Sequence, residues 1–122
     1  MKPSILYFDD EETLLTIFEE IFSDEYEVRA ASTLIEARGI LSFCPDIIIS
    51  DWSMPELSGV DFLREAARVC PKSFRILLTG YAQVGEVIEE VGRGTIQLFM
   101  PKPWTETEMR AAIERAFILR SR

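Results

Sequence analysis

Apolar residues along the chain follow two alternating patterns. Five short runs, rich in β-branched and aromatic side chains, predict β-strands at residues 4–8, 27–31, 47–50, 74–79 and 96–100. The third and fourth runs are apolar on both faces, which is typical of parallel strands covered by helices on each side. The second run begins Glu27-Val28-Arg29 and is polar enough to suit the edge of a sheet.

Amphipathic stretches follow each of these runs and predict five helices. The apolar stripe of the first helix is Leu14, Phe18, Ile21 and Phe22, and that of the third is Phe62, Leu63, Ala66, Ala67 and Val69. The stripe of the fourth helix is Val84, Val87, Ile88 and Val91, and that of the fifth is Met109, Ala112, Ile113, Ala116 and Phe117. Thr33 with Glu36, and Thr105 with Glu108, match the capping box and predict the starts of the second and fifth helices. Gly92 is the predicted end of the fourth helix.

Strand and helix alternate five times in 122 residues, a length that suits one domain with one core. Because crossovers between parallel strands are right-handed, the helices are expected on both faces of the sheet. We therefore predict an α/β fold, a doubly wound five-stranded parallel sheet with five helices, formed by residues 1–122 as a single domain.

The net charge of the chain is −8, and most of it lies near the start. Residues 1–25 hold eight acidic residues and one lysine, a charge of −7, so the other 97 of the 122 residues carry only −1. Such an acidic segment argues against direct nucleic-acid binding, which requires clustered Lys and Arg. It favours a cation or a basic protein surface as partner. The chain has no histidine, which excludes Ser-His and Cys-His nucleophile pairs.

No stretch near the start has the apolar length of a secretory leader, and no later stretch is long enough to span a membrane. We therefore expect a cytoplasmic protein without a membrane partner. In that compartment, Cys44 and Cys70 are expected to be free thiols and not a disulfide.

Chemically capable residues follow four of the five strands. Asp9 and Asp10 follow the first strand, Asp51 the third and Lys102 the fifth, and Thr79 ends the fourth. Parallel strands bring their carboxyl ends to one edge, where open α/β sheets bind ligands. Three converging carboxylates with a single lysine indicate a hard divalent cation such as Mg²⁺. One aspartate could then attack a phosphorus, with the lysine and threonine as donors to the phosphoryl oxygens.

Each of these residues, taken alone, also has an ordinary structural explanation. The pair Asp9-Asp10 suits the start of a helix, where acidic groups complement the dipole. Asp51 and Thr79 suit turns, and Lys102 between two prolines suits an exposed surface. The functional interpretation is favoured because four coincidences would otherwise fall at one sheet edge.

Together these residues resemble the receiver domain of two-component response regulators, the CheY-like superfamily. The matching segments are Asp9-Asp10-Glu11, Asp51-Trp52-Ser53-Met54-Pro55 with Gly59, Leu78-Thr79-Gly80 and Lys102-Pro103. The resemblance covers nearly the whole chain and implies a flavodoxin-like sheet with strand order 2-1-3-4-5.

Carried over by position, the resemblance implies that Asp51 accepts a phosphoryl group from a phosphohistidine of a sensor histidine kinase or phosphotransfer protein. It further implies that Mg²⁺ is held by Asp10, Asp51 and the backbone carbonyl of Ser53, with Asp9 acting through water. Lys102 would pair with the phosphoryl group. The histidine of the reaction then belongs to the partner, in keeping with its absence from this chain.

A switch is implied as well. Thr79 would turn its hydroxyl to a phosphoryl oxygen and Phe99 would move inward. The face formed by the fourth helix, fifth strand and fifth helix would then control an output domain, a protein partner or a second copy of the chain. Ser53 and Tyr81 flank the path of a hydrolytic water in the family, so we expect them to set the lifetime of the aspartyl phosphate.

Two other functions stay open. A Mg²⁺-dependent aspartyl-phosphate hydrolase should place two aspartates one residue apart after the first strand, whereas Asp9 and Asp10 are adjacent. A receiver-like interaction module that is never phosphorylated would not need Asp10, Asp51, Thr79 and Lys102 all intact. Under the leading hypothesis the chain is a regulatory domain and not an enzyme. It is either a complete regulator or a receiver from a longer protein with a C-terminal output domain.

Overall fold

The computed structural model describes residues 2–80 and 84–120, which form one five-stranded parallel sheet and five helices. The strands are β1 (Ser4–Phe8), β2 (Glu27–Ala31), β3 (Ile47–Asp51), β4 (Phe74–Thr79) and β5 (Leu98–Pro101). The helices are α1 (Glu12–Phe22), α2 (Leu34–Leu41), α3 (Gly59–Val69), α4 (Val84–Arg93) and α5 (Glu106–Arg120). The order β2-β1-β3-β4-β5 confirms the predicted doubly wound, flavodoxin-like fold.

The sheet separates two cores, because successive side chains of a strand point to opposite faces. Ile5 and Tyr7 of β1 pack with α1 and α5 on one face, whereas Leu6 and Phe8 pack with α2 and α3 on the other. All four side chains are fully or almost fully buried. Within residues 2–80 and 84–120, no helix has the length and apolar content that crossing a membrane requires.

The predicted helix starts are confirmed by their hydrogen bonds. The Thr33 hydroxyl accepts from the Glu36 amide, and the Glu36 carboxylate accepts from the Thr33 amide, which completes a capping box before α2. Thr105 and Glu108 exchange the same two bonds before α5. The stripe of α3 was predicted one residue too long, because Val69 is 51% exposed at the end of that helix.

The start of β5 was predicted two residues too early, since the strand begins at Leu98. The amides of Thr95 and Ile96 donate to the carbonyl of Glu90 at the end of α4, so they are not free to pair with β4. The guanidinium of buried Arg75 on β4 donates to the carbonyls of Ser73, Gly94 and Thr95 at 2.8, 3.0 and 2.9 Å. These bonds hold the connection between α4 and β5 in a non-strand conformation against the sheet.

The end of α4 also differs from the prediction. The helix continues through Gly92 to Arg93, and Gly94 follows with a φ of +82°. A left-handed residue directly after a helix is the usual termination, and glycine adopts it without a steric penalty. Ile88 and Val91 were predicted to face the core but are 60% and 39% exposed.

The expectation of free cysteines was wrong, because Cys44 and Cys70 form a disulfide with a Cα–Cα distance of 5.4 Å. Cys44 lies in the loop before β3, and Cys70 ends α3 shortly before β4. Since β3 and β4 are adjacent in the sheet, the segments that lead into them lie side by side. The prediction rested on cellular compartment alone and did not take this proximity into account.

Candidate functional site

Three carboxylates converge at the carboxyl edge of the sheet. Asp9 and Asp10 follow β1, and Asp51 ends the neighbouring strand β3. One oxygen from each of the three carboxylates lies within 4.8 Å of the others. Asp9 and Asp51 are buried whereas Asp10 is exposed, so the cluster opens to solvent on one side.

The backbone around Asp9 fixes the direction of its side chain. The Asp9 amide donates to the carbonyl of Ala31 at 3.1 Å, which continues the pairing of β1 with β2. One carboxylate oxygen, Oδ1, accepts from the Glu11 amide at 3.0 Å, an Asx-type bond that begins the turn into α1. The other oxygen, Oδ2, is thereby directed into the cluster.

Gly59 allows the loop after β3 to fold back onto Asp51. Its amide donates to the Trp52 carbonyl at 2.7 Å, and a Cβ atom at this position would lie 2.0 Å from the carbonyl oxygen of Asp51. No side chain fits at that distance. The glycine therefore permits α3 to begin directly beside the end of β3.

Lys102 is the positive charge of the site. Its amide donates to the Thr79 carbonyl at 3.0 Å, which brings the residue after β5 back toward β4. Its ammonium lies 3.0 Å from Asp9 Oδ2, 3.3 Å from Asp51 Oδ1 and 3.2 Å from Glu11 Oε1. One lysine thus contacts three different carboxylates.

Burial, together with the charges of neighbouring groups, shifts the pKa values of Asp51, Asp9 and Lys102. Burial and the neighbouring Asp9 charge raise the pKa of Asp51 to about 6, although Lys102 opposes the change. Burial also raises the pKa of Asp9, against the Glu11 amide and Lys102. Burial acts to lower the pKa of Lys102, but the hydrogen bond and charge of Asp9 together with the Asp51 charge raise it above its ordinary value.

The donor set fits a hard divalent cation. Asp9, Asp10 and Asp51 offer only carboxylate oxygens, the ligands that such cations prefer, and one of the three is open to solvent. Burial and then the Asp9 charge raise the pKa of Asp51 although Lys102 opposes them, so the contact with Lys102 does not fully offset the cost of ionising Asp51. A metal ion at this cluster would supply the missing positive charge.

The other predicted residues lie at or near the same edge. Thr79 is buried at the end of β4, and its hydroxyl donates to the Gly80 carbonyl at 3.0 Å. Ser53 is exposed in the loop that follows β3. Phe99 on β5 is 40% exposed, so its ring points outward here. Tyr81 lies outside the described residues.

Sequence reasoning missed two contributors to the site. Glu11 was included in the matching segment Asp9-Asp10-Glu11 but was given no role in the site, yet its carboxylate contacts Lys102. Tyr7 was counted only as an apolar position of β1, but its hydroxyl donates to Asp9 Oδ2 at 3.4 Å and accepts from Trp104 Nε1 at 3.2 Å. A tyrosine in an otherwise apolar strand, two residues before the acidic pair, was the available signal.

Fold and site together define a doubly wound domain with a partly buried carboxylate cluster and a lysine at the carboxyl edge of its sheet. Residues 5–114 match the family model of the response regulator receiver domain. The chain therefore belongs to the response regulator receiver domain family. Its function is that of a receiver in two-component signal transduction, and such domains are regulatory.

Relatives and solved structures agree with this assignment. The chain is 30% identical over 116 residues to the hydrogenase transcriptional regulatory protein HoxA of Cupriavidus necator, covering 94% of this chain and 24% of HoxA. It is 27% identical over 124 residues to sporulation initiation phosphotransferase F of Bacillus subtilis, covering 99% and 98% of the two chains. The crystal structure of a response regulator receiver domain protein from Clostridium thermocellum superposes with a TM-score of 0.87 at 31% identity, covering 98% and 97%. The chain thus spans about a quarter of HoxA but nearly all of sporulation initiation phosphotransferase F.

Proposed function

We propose that Asp51 accepts a phosphoryl group from a phosphohistidine of a sensor histidine kinase or a phosphotransfer protein, with Mg²⁺ as cofactor. The observation that carries the proposal is the position of Asp51 at the end of a central strand, 3.3 Å from Lys102 and grouped with Asp9 and Asp10. Of the three carboxylates in the cluster, Asp51 is the one that lies on β3, whereas Asp9 and Asp10 follow β1.

In this reaction an Asp51 carboxylate oxygen forms a bond to phosphorus while the phosphorus–nitrogen bond of the phosphohistidine breaks. The electron pair of that bond stays on the partner's imidazole, which leaves with it. Asp51 must be ionised to attack, and its pKa of about 6 keeps it largely ionised at neutral pH. Lys102, protonated because its pKa is raised, would donate to the phosphoryl oxygens.

Asp10, Asp51 and the backbone carbonyl of Ser53 are the proposed direct ligands of Mg²⁺, with Asp9 acting through water. When bound, the cation would offset the charge of the carboxylates and of the incoming phosphoryl group. Exposure of Asp10 and Ser53 supports this assignment, because Mg²⁺ usually keeps several waters. Ser53 and Tyr81 are the residues proposed to set the lifetime of the aspartyl phosphate.

The proposed response is a population shift. Thr79 now donates to the Gly80 carbonyl, and a phosphoryl oxygen would offer its hydroxyl a charged acceptor. Phe99 would move inward from its half-exposed position toward the space that the threonine leaves. Phosphorylation would thus favour an arrangement of α4, β5 and α5 that is a minority without it.

The proposed partner surface is the face formed by α4, β5 and α5. Ile88 and Val91 of α4 and Phe99 of β5 are exposed there, which supports contact with an output domain, a separate protein or a second copy of the chain. HoxA is by name a transcriptional regulator, four times as long as the region it shares with this chain. We therefore propose that the chain acts either alone or as the receiver of a longer regulator.

The test is phosphorylation by a small phosphodonor with Mg²⁺, followed by intact mass spectrometry. We expect one phosphoryl addition that is stable in acid and labile in base. It should be lost in Asp51→Asn and kept in Asp24→Asn, which removes an exposed carboxylate outside the cluster. The proposal includes no activity beyond the chain's own phosphorylation and slow dephosphorylation.

Two results would contradict the proposal. Phosphodonor turnover much faster than the label accumulates, in a manner that depends on Asp51, would indicate an aspartyl-phosphate hydrolase. No label on the wild-type chain, from either a small donor or a phosphorylated kinase, would indicate an interaction module that is never phosphorylated.

A further inference from the structure

Tyr7 is a buried polar residue that the proposed phosphoryl transfer does not use. Its ring stacks on Phe18 at a centroid distance of 4.4 Å and meets the Trp104 ring edge-on at 6.3 Å. A phenylalanine would make the same ring contacts. The hydroxyl therefore needs a separate explanation, because a buried polar group is costly unless it is hydrogen-bonded.

The Tyr7 hydroxyl connects two parts of the molecule. It donates to Asp9 Oδ2 at 3.4 Å and accepts from the indole Nε1 of Trp104 at 3.2 Å. The same Asp9 oxygen lies 3.0 Å from the Lys102 ammonium. A continuous path of hydrogen bonds thus runs from Trp104 through Tyr7 to the carboxylate cluster.

Trp104 lies in the wall of a cleft of about 410 Å³ between α1 and the segment that follows β5. Leu14 and Ile17 of α1 form the opposite wall, and Lys102 and Glu11 line the end nearest to the carboxylates. Trp104 is only partly buried, and its ring packs edge-on against Tyr7 and Phe18 while its indole N–H donates to the Tyr7 hydroxyl.

We propose that Tyr7 is a positioning residue that couples cation occupancy of the Asp9, Asp10 and Asp51 cluster to the position of Trp104 in the cleft wall. This inference rests on the proposed Mg²⁺ site. The bond from Tyr7 to Asp9 is 3.4 Å, at the long limit for a hydrogen bond, so a displacement of Asp9 by a few tenths of an ångström changes it strongly. With a cation held by Asp10 and Asp51, Asp9 would turn its carboxylate toward the water bound to that cation, and its contact with Lys102 would weaken. The change passes to the hydroxyl and from there to the indole N–H.

The coupling has a direct spectroscopic signature. The chain contains two tryptophans, and each indole N–H gives its own signal in a ¹H–¹⁵N spectrum. Trp104→Phe assigns the signals by removing one of them. Trp52 serves as the internal reference, because its backbone follows Asp51 directly and its indole is not part of the Tyr7 path.

The experiment is a titration of the full chain with MgCl₂ after removal of metal by EDTA. In the wild type we expect the Trp104 indole signal to move with the same midpoint as the backbone amides of the cluster. In Tyr7→Phe the Mg²⁺-dependent movement of the Trp104 signal should fall at least threefold, while that of Trp52 is retained. Tyr26→Phe is the matched control, since Tyr26 stacks on Phe117 away from the cluster and should leave the Trp104 response unchanged.

The outcomes separate the coupling from the metal site on which it rests. If Mg²⁺ moves the cluster amides but leaves the Trp104 signal in place, or moves it equally in Tyr7→Phe, the coupling is refuted and the metal site stands. If Mg²⁺ moves no amide of the cluster, the proposed metal site is refuted and the coupling with it. The dispersion of the amide spectrum reports that each variant is folded.

Discussion

The substitution Asp51→Asn is expected to stabilise the metal-free protein at neutral pH, although it removes the proposed phosphoacceptor. Asp51 is almost fully buried and close to Asp9 and Asp10, and within residues 2–80 and 84–120 Lys102 is the one cation that contacts the cluster. Its ionised form is therefore held in the folded state at a cost. An amide of the same shape does not carry that cost and can still accept a hydrogen bond from the lysine.

The magnitude follows from the pKa of Asp51, which is 3.8 ordinarily and about 6 in the folded protein. Between these values the folded state retains a proton that the unfolded chain has lost, so the free energy of unfolding falls as pH rises from about 4 to about 6. Above that window the loss is complete and amounts to at most about 3 kcal/mol, since a tenfold change in the protonation equilibrium corresponds to about 1.4 kcal/mol. We expect Asp51→Asn to raise the free energy of unfolding by about 1–3 kcal/mol at pH 7.5. At pH 4.5 the increase should be at most about 1 kcal/mol, because Asp51 is then largely protonated in the folded state.

The assay is urea denaturation in EDTA at pH 4.5 and pH 7.5, with Asp24→Asn as the control for loss of an exposed carboxylate. Repeating the measurement at saturating Mg²⁺ should reduce the gap at pH 7.5, because the cation stabilises the folded wild type in particular. If Asp51→Asn is no more stable than the wild type at pH 7.5 in EDTA, the cluster does not destabilise the fold and the reasoning fails.

Three further predictions concern other parts of the fold. Gly59→Ala should lower the free energy of unfolding by about 2–3 kcal/mol in the same urea assay, because the added Cβ would meet the backbone carbonyl of Asp51. Gly39→Ala in α2 should raise it by about 0.5–1 kcal/mol, because no atom lies within 4 Å of the added Cβ. Reduction of the Cys44–Cys70 disulfide, whose cysteines are 26 positions apart, should cost about 3 kcal/mol; dithiothreitol should have no effect on the double serine variant, and an equal effect there would contradict the assignment. Lys102→Ala should destabilise the protein in EDTA and show a larger stabilisation by Mg²⁺ than the wild type, as measured by thermal melting with and without the cation; equal Mg²⁺ responses would show that the lysine does not offset the cluster charge.

Much of the fold could be predicted from periodicity because the strands are short apolar runs rich in β-branched and aromatic residues, and amphipathic stretches separate them. The runs that became β1, β2 and β4 matched the structure in full, and the two capping boxes marked the starts of α2 and α5. Prediction failed where a local tertiary contact overrides the pattern. Ile96 is apolar and buried, and it was therefore predicted to belong to β5. Because its amide donates to the carbonyl of Glu90, the residue lies outside that strand. Gly94, and not the equally plausible Gly92, adopts the left-handed conformation.

The residues of the site could be predicted in part, because topology places the ends of parallel strands together. That rule brought Asp9, Asp51 and Lys102 to one edge before any distance was known. It could not assign the contact of Glu11 with the lysine, which depends on a side-chain rotamer. Nor could it assign the hydroxyl of Tyr7, which a pattern of apolar positions counts as hydrophobic.

The disulfide joins β3 and β4 covalently near one end of the pair. Cys44 and Cys70 tie the segments that enter β3 and β4, at the edge opposite to the carboxylates. The two strands that end in Asp51 and Thr79 are therefore covalently held at their bases, while their far ends depend on hydrogen bonds that can be exchanged. The two strands are thus linked covalently at one end and by backbone hydrogen bonds along their length. We therefore expect a displacement caused by phosphorylation at the carboxyl ends of β3 and β4, beside β5, and not at the ends that the disulfide joins.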